Sequence, residues 1–166
     1  SPMLKEIYIV KGGPSEDYNA FRIRMHSLAG EIEMHLKPAT LKLNITLKAP
    51  PRISVIPFSR QKAAAFSITG KVPASRSIFS STAGFTGAYR VEEALPVSYK
   101  KAWEDGTPTP GVCMLTLFNR KPGLDDQTFI IRWHQGHTPL SLRLHPLWNY
   151  NRNVVTESST ENLIHY

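Results

Sequence analysis

The sequence predicts an α+β fold. Three observations point there: short β-branched and alternating segments that read as strands, one long apolar stripe recurring at three- and four-residue steps, and the order in which these follow one another. A length of 166 residues suits one ordinary domain or two small ones and excludes a large multidomain enzyme. With 41% hydrophobic against 20% charged residues, the chain has enough apolar surface to build a core, which excludes intrinsic disorder.

The first element, Glu6 to Val10, is aromatic and β-branched and reads as a strand. Ser15 then offers an N-cap oxygen, with Glu16 and Asp17 placed at the positive end of a helix. Tyr18, Phe21, Met25, Leu28 and Ile32 form the apolar stripe of that helix, which stops before Pro38. Leu41, Leu43, Ile45 and Leu47 alternate with Lys42, Asn44, Thr46 and Lys48, the pattern of a half-buried strand. Ala63 to Thr69 supplies the next strand, and Ser75 to Gly87 a Ser/Thr/Gly-rich loop with room for a short helix. Tyr89 to Tyr99 is a further strand, with Pro96 arguing for a sheet edge. The order strand, helix, strand, strand, helical piece, strand is that of a ferredoxin-like split βαβ unit.

Trp103 to Gly111, WEDGTPTPG, concentrates turn formers and marks a boundary. The expected organisation is therefore a ferredoxin-like unit over 1–102, a linker over 103–111 and a second, partial unit over 112–166. In that second unit Val112 to Phe118 is a strand with Cys113 as an inert packing group, Asp125 to about Gln135 a helix carrying Phe129 and Trp133 on one face, and Tyr150 to Val155 a returning strand. Sliding the chain by 108 residues aligns the two units without a gap. Pro14 meets Pro122, Asp17 meets Asp125, Phe21 meets Phe129, Arg24 meets Arg132 and His26 meets His134, so the first unit reads as a degenerate copy of the second. The second unit is incomplete: its sheet is expected to be finished by the first unit, by another copy of the chain or by further residues.

Charge narrows the partners. The formal net charge is +7, and between Glu33 and Glu92 nine lysines and arginines occur with no acid. They are spaced without a basic helix or aromatic interleaving, so a nucleic-acid partner is not expected. No apolar run reaches the roughly 18 residues of a membrane span, so no membrane partner is expected either. One cysteine, Cys113, excludes an internal disulfide framework and a cysteine-based zinc cluster, which points to a reducing, cytoplasmic setting.

Chemistry-bearing residues concentrate after the second helix: Arg132, Trp133, His134, His137, Arg143, His145, Trp148 and Tyr150. His134 and His137 with His145 have imidazole spacing, but no carboxylate accompanies them and Gly136 and Pro139 distort the turn, so no metal is expected. An imidazole in general titrates near neutral pH, so His137 suits a proton carrier; a structural histidine fits the same position. Lys11-Gly12-Gly13-Pro14 lacks the remaining glycine of a phosphate or dinucleotide fingerprint and reads as a strand-to-helix turn.

Thr116 to Val155 resembles the EthD family of the dimeric α/β-barrel superfamily. The resemblance is carried by Arg120-Lys121-Pro122-Gly123, then Phe129, Trp133, His137, Pro139 and Leu140, and finally Pro146 and Tyr150 before an asparagine-containing strand. It implies antiparallel sheets pairing face to face into a barrel, within one chain or in a homodimer, and a pocket for a small hydrophobic molecule. It also implies cofactor-independent chemistry on an aromatic or polyketide-like metabolite: proton transfer, decarboxylation, cyclisation or oxygenation. In that reading His137 is catalytic, Trp133 and Tyr150 are pocket walls, and His134 or Arg143 holds a substrate oxygen. The alternative is a non-catalytic dimerising or ligand-binding module of the same fold.

Overall fold

The computed structural model describes residues 3–49, 61–71, 76–97, 101–116, 122–132, 135 and 150–158. These contain strands β1 (Leu4–Lys11), β2 (Thr40–Ile45), β3 (Ala63–Gly70), β4 (Phe85–Val97) and β5 (Tyr150–Ser158), and helices α1 (Tyr18–Leu36), α2 (Arg76–Ser80) and α3 (Asp126–Ile131). The fold is α+β, with a sheet in the order β2-β3-β1-β4-β5. β1 runs antiparallel to both β3 and β4, and β2 antiparallel to β3. β1 and β2 are therefore parallel, joined through α1, with β3 inserted between them. The described residues within 1–91 and 155–163 form one compact unit and those within 92–154 a second.

α1 forms where the apolar stripe requires it. Phe21, Met25, Leu28 and Ile32 are buried and pack on Tyr8, Val10, Ala64, Phe66, Ile68 and Ala88. Its N-cap is Asp17, not Ser15: the Asp17 carboxylate accepts the Ala20 N–H at 2.7 Å. A carboxylate placed three residues before that N–H reaches it, while Ser15 lies two residues outside the first turn. The helix ends at Lys37, whose φ of 45° turns the chain left-handed while its N–H donates to Glu33 O. Ala39 N–H then donates to Thr69 O at 2.8 Å, starting β2 in register with β3.

Pleating divides the strands between two faces. On the α1 face Tyr8 stacks on Phe79 of α2 at 4.0 Å and 11°, and Phe66 meets Phe79 edge-on at 5.5 Å. On the opposite face Ile7, Ile9, Ala65, Tyr89 and Val91 form a second buried cluster with Val155 against it. Both faces of β1 are thus apolar, as in a strand enclosed on two sides.

Several sequence expectations are corrected. β2 ends at Ile45, so Leu47 falls outside the strand and is 59% exposed. β4 is an interior strand, lying between β1 and β5. Pro96 is tolerated there because β1 pairs only as far as Val91, and the missing N–H costs no bond to it. Residues 112–116 are not a strand: no ladder reaches them, and Val112, Met114 and Leu115 are exposed, as is Cys113. A β-branched segment without a neighbouring strand leaves its backbone polar groups to solvent. α3 has Asp125 as its N-cap, and helical conformation of the π type is kept at Arg132 and Gln135, in line with the expected extent to about Gln135.

Candidate functional site

The most developed concavity among the described residues lies in the first unit, where β1 runs into α1. Its walls are Lys11, Gly12, Gly13, Glu16, Arg24, Gln61 and the stretch Ala83 to Thr86, around an open pocket of about 450 Å³. This volume is in the range of small-molecule sites.

Three features of the sequence build it. First, a bulge in the β1–β4 ladder inserts Thr86: Ile9 pairs with Gly87 but Val10 with Phe85. The Thr86 hydroxyl donates to Ile9 O at 3.1 Å, closing the gap the extra residue leaves. Second, Gly84 sits at φ +84° with its position for a Cβ only 1.9 Å from Lys11 O, and its own carbonyl accepts the Lys11 N–H at 2.8 Å. Only glycine permits this approach of two backbones.

Third, Glu16 and Arg24 lock the wall. The guanidinium is bidentate on the carboxylate, Nε to Oε2 at 2.7 Å and Nη2 to Oε1 at 2.9 Å. Its Nη1 donates to Ala83 O at 2.8 Å, tying the loop before β4 to α1. Glu16 Oε1 also accepts the Gly13 N–H at 3.1 Å. The hydrogen bond from Arg24 holds the Glu16 carboxyl below its ordinary range, against the opposing effect of partial burial, with Gly13 and Lys62 adding to the lowering. Arg24 is raised in turn by Glu16. Neither group exchanges a proton near neutral pH, so this pair fixes a wall and does no acid–base chemistry.

The glycine turn is a structural turn, as its sequence predicts. Lys11, Gly12 and Gly13 give their N–H groups to Gly84 O, Lys62 O and Glu16 Oε1, and Pro14 has none. The amides of this turn are therefore engaged within the protein.

At the other end of β1, Glu6 is 3% exposed and accepts the Tyr8 hydroxyl at 3.2 Å. Arg90, its register partner on β4, approaches Glu6 Oε2 at 3.6 Å and Glu157 at 3.1 Å. The buried carboxylate is held by a hydroxyl and a guanidinium, which makes it a structural ion network.

Of the residues singled out from sequence, Trp133, His134, His137 and Arg143 lie outside the described residues. Tyr150 opens β5. Among the described residues no group of three metal-ligating side chains occurs, and no helix is long and apolar enough to cross a membrane.

The two helix starts that the 108-residue offset aligns have the same cap geometry. Asp17 and Asp125 share φ/ψ of −73°/169° and −74°/165°, and each accepts the N–H three residues on at 2.7 Å. Phe21 and Phe129 each donate their N–H to the cap carbonyl at 3.0 Å. Beyond the first turn the two differ. Phe21 is fully buried whereas Phe129 is half-buried, and Leu124 stands where the correspondence would need Glu16, so Arg132 has no such clamp.

Sequence reasoning missed Glu16, Arg24, Gly84 and Thr86 as a group. The eight-residue spacing of Glu16 and Arg24 was the one local signal; the loop they hold comes from 59 residues beyond Arg24. Compared with protein-family models, curated proteins and solved structures, the chain finds no match.

Proposed function

We propose that the chain is a small-molecule-binding protein built on a ferredoxin-like unit. The observation that carries this reading is the open pocket of about 450 Å³ at the β1–α1 turn, with walls fixed by the Glu16–Arg24 pair and the glycine contact at Gly84. Walls held rigid around a concavity are what a ligand site needs before the ligand arrives. The strand order β2-β3-β1-β4, with β3 inserted between two parallel strands, supports the ferredoxin-like assignment.

Likeness to the EthD family adds two parts to the proposal. One is association into a homodimeric barrel; the face bearing Ile7, Ile9, Tyr89 and Val91 is already buried within the single chain, so it does not supply that interface. The other is a cofactor-independent reaction on a hydrophobic aromatic or polyketide-like metabolite, with His137 carrying the proton. For the pocket itself the ligand-binding reading is favoured over catalysis, because its one carboxylate is held ionised by Arg24.

Native mass spectrometry of the whole chain tests the reading. A discrete adduct should accompany the folded protein, vanish on denaturation and be lost in Ala83→Trp, which places an indole at the pocket wall from an exposed position. An adduct that survives Ala83→Trp places the ligand elsewhere; a bare mass under all native conditions removes small-molecule binding.

A further inference from the structure

The charges around the pocket identify the class of ligand, and this inference rests on the pocket being a ligand site. Its walls carry Lys11, Arg24 and Glu16, and Lys62 acts on Glu16 from beside the Tyr18 ring, 5.0 Å from its centroid. The one carboxylate in this group accepts three hydrogen bonds, two from Arg24 and one from Gly13. A carboxylate occupied in this way has little capacity left for a cation. Arg24 spends three of its five N–H donors, on Glu16 and Ala83, and its side chain remains 31% exposed. The group therefore holds three positive charges against one negative charge.

The backbone amides of the Lys11–Gly13 turn are engaged, so that turn does not offer the amide cradle of a phosphate loop. A carboxylate needs fewer donors and pairs well with a guanidinium edge or an ammonium. Gln61, Ala83, Gly84, Phe85 and Thr86 complete the wall, so polar and apolar residues share it.

We propose that this pocket binds a small organic carboxylate, its charge held by the Lys11, Lys62 and Arg24 field. The excess of positive charge disfavours a cation.

The test is an amide NMR titration of the full chain with benzoate, its neutral counterpart benzamide, and inorganic phosphate. Benzoate should shift the Gly12, Gly13, Gly84 and Thr86 amides and bind about tenfold more tightly than benzamide, the difference one charge-assisted hydrogen bond makes. Lys11→Gln or Lys62→Gln should weaken benzoate by a similar factor, while Lys71→Gln, which removes the same charge at the opposite end of β3 from Lys62, should not. The spectrum of each variant also reports whether it is folded. Equal binding of benzamide and benzoate would overturn the anion inference and leave a small-molecule pocket. Preference for phosphate, or an equal loss in Lys71→Gln, would overturn it as well. Silence of the four amides toward both benzoate and benzamide would remove the pocket reading itself.

Discussion

At Gly84 the backbone stands at φ +84°, and any Cβ would lie 1.9 Å from the Lys11 carbonyl oxygen. Gly84→Ala should therefore destabilise the chain by about 3 kcal/mol, read from the midpoint of urea unfolding. Glu16 is a different case, because its contribution depends on charge. Its carboxyl lies below its ordinary value of 4.5 when folded, owing first to the Arg24 hydrogen bond. The stability it contributes is present above that ordinary value and is lost as pH falls through the lowered folded value. Glu16→Gln should cost about 1 kcal/mol at neutral pH and flatten the acid limb of a stability-against-pH curve. An acid limb identical to the parent's would mean the pair contributes nothing. Tyr89 has the opposite sign: burial raises its hydroxyl above 10.0. Its neutral form is favoured by the fold, so stability holds below pH 10.0 and falls as pH climbs through the raised value, and Tyr89→Phe should remove that fall.

Helices α1 and α3 start on the same cap but differ in length and in the packing behind it. α1 is 19 residues long and buries four side chains against the sheet, so its helicity rests on packing as well as on Asp17. Asp17→Ala should cost about 1 kcal/mol of global stability, and Phe21→Ala about 3 to 5 kcal/mol, since its ring is fully buried. α3 has six residues. Asp125→Ala should release its first turn, seen in amide exchange at Thr128 and Phe129, and leave the global melting temperature nearly unchanged. A large global loss in Asp125→Ala would mean that α3 carries far more of the fold than its length and the half-buried Phe129 indicate. Sequence period placed α1 well because a long amphipathic stripe has one way to face a sheet. It misplaced residues 112–116 because a β-branched run becomes a strand only where another strand offers its hydrogen bonds.

For the whole molecule, the two apolar faces of β1 are the main organising fact. One is covered by α1 and α2 and builds the principal core. The other gathers Ile7, Ile9, Ala65, Tyr89 and Val91. Sedimentation of the full chain tests the homodimer part of the proposal: a concentration-dependent dimer is expected. A monomer at every concentration would confine the pairing to one chain. Turnover of His137→Ala addresses the catalytic part, where a loss of about a hundredfold is expected for a proton carrier and parent-like turnover removes that role.

The α+β class, β1, the register of the α1 stripe, β3 and the strand nature of β5 were determined by the sequence alone, because each rests on a local period or on turn chemistry within a few residues. Phe21, Met25, Leu28 and Ile32 are buried as their spacing requires. The pocket was decided by tertiary structure. Its bulge at Thr86, the approach of Gly84 to Lys11 and the reach of Arg24 to Ala83 each join segments more than 50 residues apart. Backbone pairing and a single guanidinium bring these segments together, and no periodicity along the chain encodes which loop a strand end will meet.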